Sequence, residues 1–311
     1  MKKYASKDVL SLFDGISCLQ VALKRLGVKY KNYYGSEIEE DAKKIAKKRF
    51  PNMTHIGDVR LVKGEDYKNV FLITAGSPCQ QFSLAGTRKG MVDYLGNQIT
   101  SLKQFMKLKK QGYKFDENSQ SYLFWEFVRI LREIQKVNPK VYFILENVKM
   151  SRMWLHIISS ELGVLPIMIN SSTVSGQNRE RYYWTNIPNV SQPKDKNITL
   201  SKLFPGVKTG YGFRGVDKGK RKPNGDILWE QNGTARVDFK ANCITTKKSS
   251  TAKFLLKNGK IRDITISEAE VLQTLPKNYT KVAGVSETKR WKAVGNGWTI
   301  NVITHILRGI K

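Results

Sequence analysis

Residues 10–17 read LSLFDGIS: an apolar run, an acidic residue, a glycine, and then the helical pattern CLQVALKRL at 18–26, its apolar residues spaced by three and four. That succession is a buried strand turning directly into a helix. In an α/β sheet the carboxyl end of the first strand faces the ligand crevice, and Gly15 lets a ligand come close to the backbone. The alternation continues outward. KNYYGSEI (31–38) reads as a strand, EEDAKKIAKKRF (39–50) as a helix, and NVFLITAG (69–76) as a buried strand. The helix YLFWEFVRILREIQKV (122–137), the strand PKVYFILEN (139–147), the helix WLHIISSELG (154–163) and the strand PIMIN (166–170) follow. Strands and helices at this spacing predict right-handed βαβ units and a parallel sheet covered on both faces, so the fold class is α/β.

Two stretches break the rhythm. Residues 95–120 are polar and basic, and residues 188 to about 240 concentrate glycine and proline without a helical period. The second predicts a small lobe of loops and short strands. Helical patterns return at TISEAEVLQTL (265–275) and WTINVITHILRGI (298–310).

Chemistry-bearing residues gather at the strand ends. Glu37 closes the second strand 23 residues after Asp14, close to the offset at which a carboxylate holds the ribose hydroxyls of a nucleoside cofactor. Asp58, in GDV, is a third carboxylate on the expected rim. No GxGxxG follows the first strand, where the turn reads FDGIS (the GYGFRG of 210–215 lies in the glycine-rich stretch), and GxxxxGK is absent, which argues against a pyrophosphate or triphosphate and for a nucleoside without phosphates, such as S-adenosylmethionine. Cys79 follows the strand 69–76 within TAGSPCQQFS, between a proline and two glutamines. Glu146 ends another apolar run and is either a functional carboxylate or a helix cap. Arg179 and Arg181, two apart in SGQNRERYYW, share a face if this segment is a strand; they then suit a carbonyl or phosphate, or are surface arginines.

Composition narrows the partners. Lys plus Arg number 54 against 26 Asp plus Glu, an excess of 28. Such an excess suits a polyanion, most simply nucleic acid, or a lysine-rich solvated surface. Three scattered cysteines without CxxC, and three histidines, argue against a zinc or disulfide framework. No stretch approaches the ~18 apolar residues of a membrane span, and a soluble protein of a reducing cytoplasm is expected.

FDGIS, SEI, GDV, GSPCQQFS, ENV, QNRER, IRDITISEAEVLQTLP and AVGNGWTINVI together resemble, in order and approximate spacing, the blocks of the cytosine-C5 DNA methyltransferases. The likeness covers the chain except 95–120 and 188–240. Serine in GSPC and tryptophan in GNGWTI add a likeness to phage-type enzymes and to the catalytic domain of vertebrate de novo methyltransferases. The resemblance implies a Rossmann-like S-adenosylmethionine-dependent methyltransferase fold with a smaller target-recognition lobe. Residues 1–187 plus 256–311 would form the catalytic domain, 188–255 the recognition domain, and 95–120 an insertion after the catalytic loop. Cys79 is the implied nucleophile toward cytosine carbon 6, Glu146 the partner of ring N3 and the amine, Arg181 the holder of O2, and Arg179 the group ordering the cysteine loop. The implied cofactor set is Phe13, Asp14, Gly15, Ile16, Glu37, Ile38, Asp58, Val59, Leu123, Asn296 and Trp298. The implied partner is double-stranded DNA, with no metal and no membrane, bound by a monomer in a bacterial cell or phage-infected host. A tRNA cytosine methyltransferase and a DNA-binding protein with decayed catalysis are the alternatives. Lys103, Lys107, Lys109, Lys110 and Lys114 of the insertion are expected to meet phosphates.

Overall fold

The computed structural model describes residues 3–78, 91–93, 95–113, 115, 120–221, 227–246 and 252–310, with the backbone alone for 213–232. Cys79, Lys114 and the rest of the segment 79–90 lie outside the described residues. Two compact units divide the chain. The first comprises Met1–Ile169, Glu180–Gln192 and Ile303–Lys311, the second Asn170–Arg179 and Pro193–Val302. Residues 256–302 therefore group with the second unit by compactness, whereas the sequence assigns them to the catalytic domain.

In the first unit, β1 (Asp8–Leu12), α1 (Cys18–Leu26), β2 (Tyr33–Ser36), α2 (Glu40–Arg49), β3 (Thr54–His55) and β4 (Val70–Gly76) come first. They are followed by α3 (Leu102–Lys110), α4 (Phe124–Val137), β5 (Tyr142–Asn147), α5 (Arg152–Leu162), β6 (Ile167–Asn170) and β7 (Glu180–Thr185). The sheet order is β3-β2-β1-β4-β5-β7-β6. β1 pairs in parallel with β2 and with β4, β4 pairs in parallel with β5, and β7 runs antiparallel to β5. Strand order thus reverses on either side of β1, and such a reversal opens a crevice at the carboxyl ends of the strands.

Every residue of β1 is buried, Asp8 and Ser11 included, as befits a central strand with parallel neighbours on both sides. α4 buries Phe124, Trp125, Phe127, Val128, Ile130, Leu131 and Ile134, so its first two turns are enclosed all round. Each large apolar side chain removed from water stabilises by about 1.5–3 kcal/mol. Below the sheet's other end, Tyr4 stacks on Phe71 with ring centroids 4.1 Å apart and donates from its hydroxyl to the Ile310 carbonyl at 3.2 Å.

The insertion differs from its expected form. Residues 102–110 are a helix, capped by Ser101 and docked by Phe105, which is fully buried. Ahead of it, the buried Asp93 accepts from the amides of Leu95 and Asn97 at 2.9 and 2.8 Å and closes a tight turn.

The second unit contains α6 (Leu200–Leu203), β8 (Val207–Arg221), β9 (Ile227–Ala235), β10 (Lys253–Leu256), β11 (Ile261–Asp263), α7 (Ile266–Leu272) and α8 (Glu287–Asn296), and α9 (Ile300–Ile306) starts in it. Its sheet, ordered β11-β10-β8-β9, is antiparallel. The expectation of short strands fails here: β8 is 15 residues long. α7 begins with a capping box in which Thr265 and Glu268 satisfy each other's backbone amides. Among the described residues no helix is long and apolar enough to cross a membrane.

Candidate active site

The turn after β1 carries three left-handed residues, Phe13 at φ 54°, Gly15 at φ 56° and Ser17 at φ 56°. Two of them are not glycine, a conformation that costs roughly 1–2 kcal/mol per residue and persists only where surroundings enforce it. Glu37 supplies part of that enforcement. Its Oε2 accepts the Gly15 amide at 2.8 Å, while its Oε1 accepts the amides of Ile38 and Glu39, each at 2.8 Å. A Cβ built on Gly15 meets nothing within 4 Å. Beside Glu37, Ile38 is 58% exposed and offers an apolar face. An open glycine turn, a carboxylate oxygen with a spare lone pair and an uncovered isoleucine fit the sugar and base of a nucleoside.

Asp14 departs from expectation. Its carboxylate lies inside the protein rather than on the crevice rim, with Tyr33 donating to Oδ1 at 2.5 Å and Ser17 donating to Oδ2. Burial pushes its carboxyl up to about 6, although the hydrogen bonds from Ser17 and Tyr33 pull the other way. The Tyr33 hydroxyl is raised well above its usual value by burial and then by the neighbouring Asp14. Asp14 thus shapes the turn from beneath. Ile16 and Val59 likewise send their side chains into the interior, and Phe13 and Leu123 pack against the core cluster.

Asp58 caps the 3-10 turn Val59–Leu61 by accepting the Arg60 amide at 2.9 Å. Arg60 also grips Asp58 Oδ2 with Nε at 2.9 Å and Nη2 at 2.5 Å. Partial burial raises the Asp58 carboxyl, but these bonds and the Arg60 charge outweigh it and leave the group below its usual value. The sequence reading did not single out Arg60.

Glu146, the penultimate residue of β5, stands opposite Gly76, the last residue of β4, from which Ser77 and Pro78 lead to Cys79. Arg181 Nε lies 3.0 Å from Glu146 Oε1, with both side chains largely buried. The neighbouring Asn147 donates to Ser77 Oγ at 3.1 Å, fixing the two strand ends to each other.

Arg179 and Arg181 do not act as a parallel pair, because β7 begins only at Glu180. Arg179 is buried in the second unit. Its Nη1 donates to the Ile244 carbonyl at 2.9 Å and its Nη2 to the carbonyls of Gly295 and Gly297, both at 3.1 Å. Also unforeseen is the buried pair Gln177 and Gln273. Gln177 Nε2 donates to Gln273 Oε1 at 2.9 Å, and Gln273 Nε2 donates to the carbonyls of Val294 and Gly297. Asn296, exposed, and Trp298, buried, flank Gly297.

Lys109 contradicts the phosphate expectation, since its Nζ lies 2.6 Å from the buried Glu126 Oε1. Lys103, Lys107 and Lys110 are exposed.

A family model described as C-5 cytosine-specific DNA methylase matches residues 8–111 and 168–311. The chain is similar to the orphan methyltransferase M.SPRI of Bacillus phage SPR, with 34% identity over 143 residues, 45% of this chain and 26% of that protein. It is also similar to the type II methyltransferase M1.ScrFI of Lactococcus lactis subsp. cremoris, with 26% identity over 335 aligned residues, 97% of this chain and 77% of that protein. The chain thus spans about a quarter of the phage relative's length. Among solved structures, a DNMT2 mutant of Spodoptera frugiperda superposes with TM-score 0.65 at 18% identity, covering 98% of this chain and 99% of that one. At that identity the likeness is one of fold, and the fold is the Rossmann-like methyltransferase arrangement.

Proposed function

Because this chain belongs to the C-5 cytosine-specific DNA methylases, we propose that it methylates carbon 5 of a flipped-out cytosine in duplex DNA through a covalent adduct on Cys79. The observation that carries the reading is the ion pair of Glu146 and Arg181 at the carboxyl edge of the sheet, beside the strand end that leads to Cys79.

Carbon 5 of cytosine is a weak nucleophile within an aromatic ring. Addition of the Cys79 thiolate to carbon 6 turns carbon 5 into an enamine-like nucleophile. Glu146 would hold N3 and the exocyclic amine as charge develops on the ring, with Arg181 holding both Glu146 and the O2 carbonyl. S-adenosylmethionine supplies an activated methyl group on a positive sulfur. Departure of the carbon-5 proton and of the thiol then restores the ring. Arg179 grips four carbonyl and thiol acceptors of its own unit, and the resemblance gives it the ordering of the loop around Cys79.

For the cofactor, Glu37 suits the ribose hydroxyls, Ile38 the adenine face and Asp58 the adenine amine. Phe13, Gly15, Ile16, Val59, Leu123, Asn296 and Trp298 are the further residues that we assign to the cofactor. Asp14, bonded to Ser17 and Tyr33, supports the turn that carries this pocket. We assign target recognition to 188–255, and action as a monomer in the cytoplasm of a bacterial cell or phage-infected host. The excess of 28 basic residues supports a polyanionic substrate.

The test is methyl transfer from labelled S-adenosylmethionine to duplex DNA and to tRNA, with bisulfite sequencing of DNA from expressing cells. Transfer to duplex DNA at a defined site is expected. Transfer to tRNA alone would reassign the substrate, and transfer to neither would leave a binding protein without chemistry.

A further inference from the structure

The inserted helix α3 is tied to one turn of the cofactor side by two independent routes. The first is ionic. Lys109 meets Glu126 Oε1 at 2.6 Å, Arg129 Nε meets Glu126 Oε2 at 2.6 Å, and Arg129 Nη1 meets Glu133 Oε1 at 2.9 Å. Arg129 Nη2 then donates to the Val62 carbonyl at 2.8 Å, and Glu133 Oε2 accepts the Gly64 amide at 2.6 Å. The second is aromatic. Phe105 of α3 packs on Phe115 and Phe115 on Tyr122, with ring centroids 5.0 and 4.6 Å apart, and the Tyr122 hydroxyl interacts electrostatically with Arg60, which grips Asp58.

Both routes end within residues 58–64. The turn is seated directly on α4: a Cβ on Gly64 would stand 2.5 Å from the Ile130 carbonyl oxygen. The Glu126 side chain is 2% exposed, and a charge so deeply buried destabilises unless its partners are held in good geometry. An insertion that merely covered surface would dock through apolar groups alone. This one delivers a cation from its own helix to a buried carboxylate, and the chain of pairs reaches the turn that bears Asp58.

We propose that the insertion is a strut for the cofactor turn and that Lys109, acting through Glu126 and Arg129, is a positioning residue for the adenosyl group. The proposal rests on the assignment of Asp58 and Val59 to the cofactor pocket. Without Lys109, Arg129 alone must neutralise Glu126, and its hold on Val62 and Glu133 is drawn off.

Calorimetric titration of the full chain with S-adenosylhomocysteine tests this. Lys109→Met is expected to weaken binding about tenfold, and Lys109→Arg to stay within about twofold of the wild type. Lys107→Met and Lys110→Met, which change exposed lysines of the same helix, are expected to bind as the wild type does. In wild-type protein, S-adenosylhomocysteine is expected to raise amide-exchange protection over 102–110 together with 58–64. Equal affinity in Lys109→Met, or protection confined to 58–64, overturns the strut. Should Lys109→Met not fold, the wild-type exchange measurement decides alone. A wild type that binds no S-adenosylhomocysteine overturns the cofactor assignment itself, an outcome distinct from equal binding by wild type and variant.

Discussion

Arg181 Nε and Glu146 Oε1 stand 3.0 Å apart across the antiparallel pair β5 and β7, the only antiparallel pairing among the registers described for the central sheet. The reversed strand brings a cation to the carboxyl edge from the far side. A parallel neighbour would need a crossover connection to do the same.

Glu146→Gln keeps the shape and removes the charge. Single-turnover methylation is expected to slow by at least ~100-fold, the usual scale for a positioned acid or base, with S-adenosylhomocysteine affinity unchanged. Arg181→Lys should not restore an Arg181→Ala variant, because the planar fork that can hold two acceptors is lost. Near-normal turnover in Glu146→Gln would reduce Glu146 to a structural cap.

Cys79→Ser is expected to bind DNA and cofactor and to lose turnover, since an alcohol is far less acidic than a thiol. DNA with 5-fluorocytosine at the target should trap a covalent adduct on the wild type only, read on a denaturing gel. An active serine variant would sink the covalent route.

Asp14 makes stability fall as pH rises. Its carboxyl is near 6 when folded against 3.8 for the ordinary group, so between those values the folded chain binds more protons than the unfolded one. The contribution declines from about pH 4 to about pH 6 and is level above, a span of about 3 kcal/mol. Asp14→Asn removes the cost of the buried charge. Urea unfolding should therefore show the variant gaining on the wild type over this window, whereas parallel pH profiles would mean that Asp14 titrates normally.

With Lys109 engaged by Glu126, the phosphate expectation rests on its exposed neighbours. Changing Lys103, Lys107 and Lys110 together to alanine should weaken binding to every DNA sequence alike. The slope of log affinity against log salt should flatten by roughly 0.9 for each phosphate no longer neutralised. An unchanged slope would make the helix a purely internal device.

The strands of the sheet and the carboxylates at their ends were legible because apolar runs of strand length alternate with amphipathic helices, and Glu37 and Glu146 each close such a run. Direction was not. Whether the residue after a strand faces the crevice or the interior depends on one turn, and the left-handed turn at 13–17 sends Asp14 inward to Tyr33. α3 was hidden because Phe105 is the one fully buried residue of its nine and four of the others are lysines. β8, rich in glycine and lysine, has a loop's composition and owes its strand form to pairing with β9, a tertiary fact. Arg179 parted from Arg181 because the strand starts one residue later than a shared face requires.

The junction of Tyr4 with Ile310 sets an order of events during synthesis. The first unit draws its final piece, Ile303–Lys311, from behind the whole of the second. Ribosomal elongation adds about 5–20 residues each second, so β1 waits many seconds for its last neighbours while the β8–β9 hairpin, whose partners are close in sequence, pairs within microseconds once made. The nascent chain therefore holds all seven strands of the sheet and a paired hairpin before its closing segment exists, and the surface that Ile310 meets at Tyr4 stays open to chaperones until residue 310 arrives.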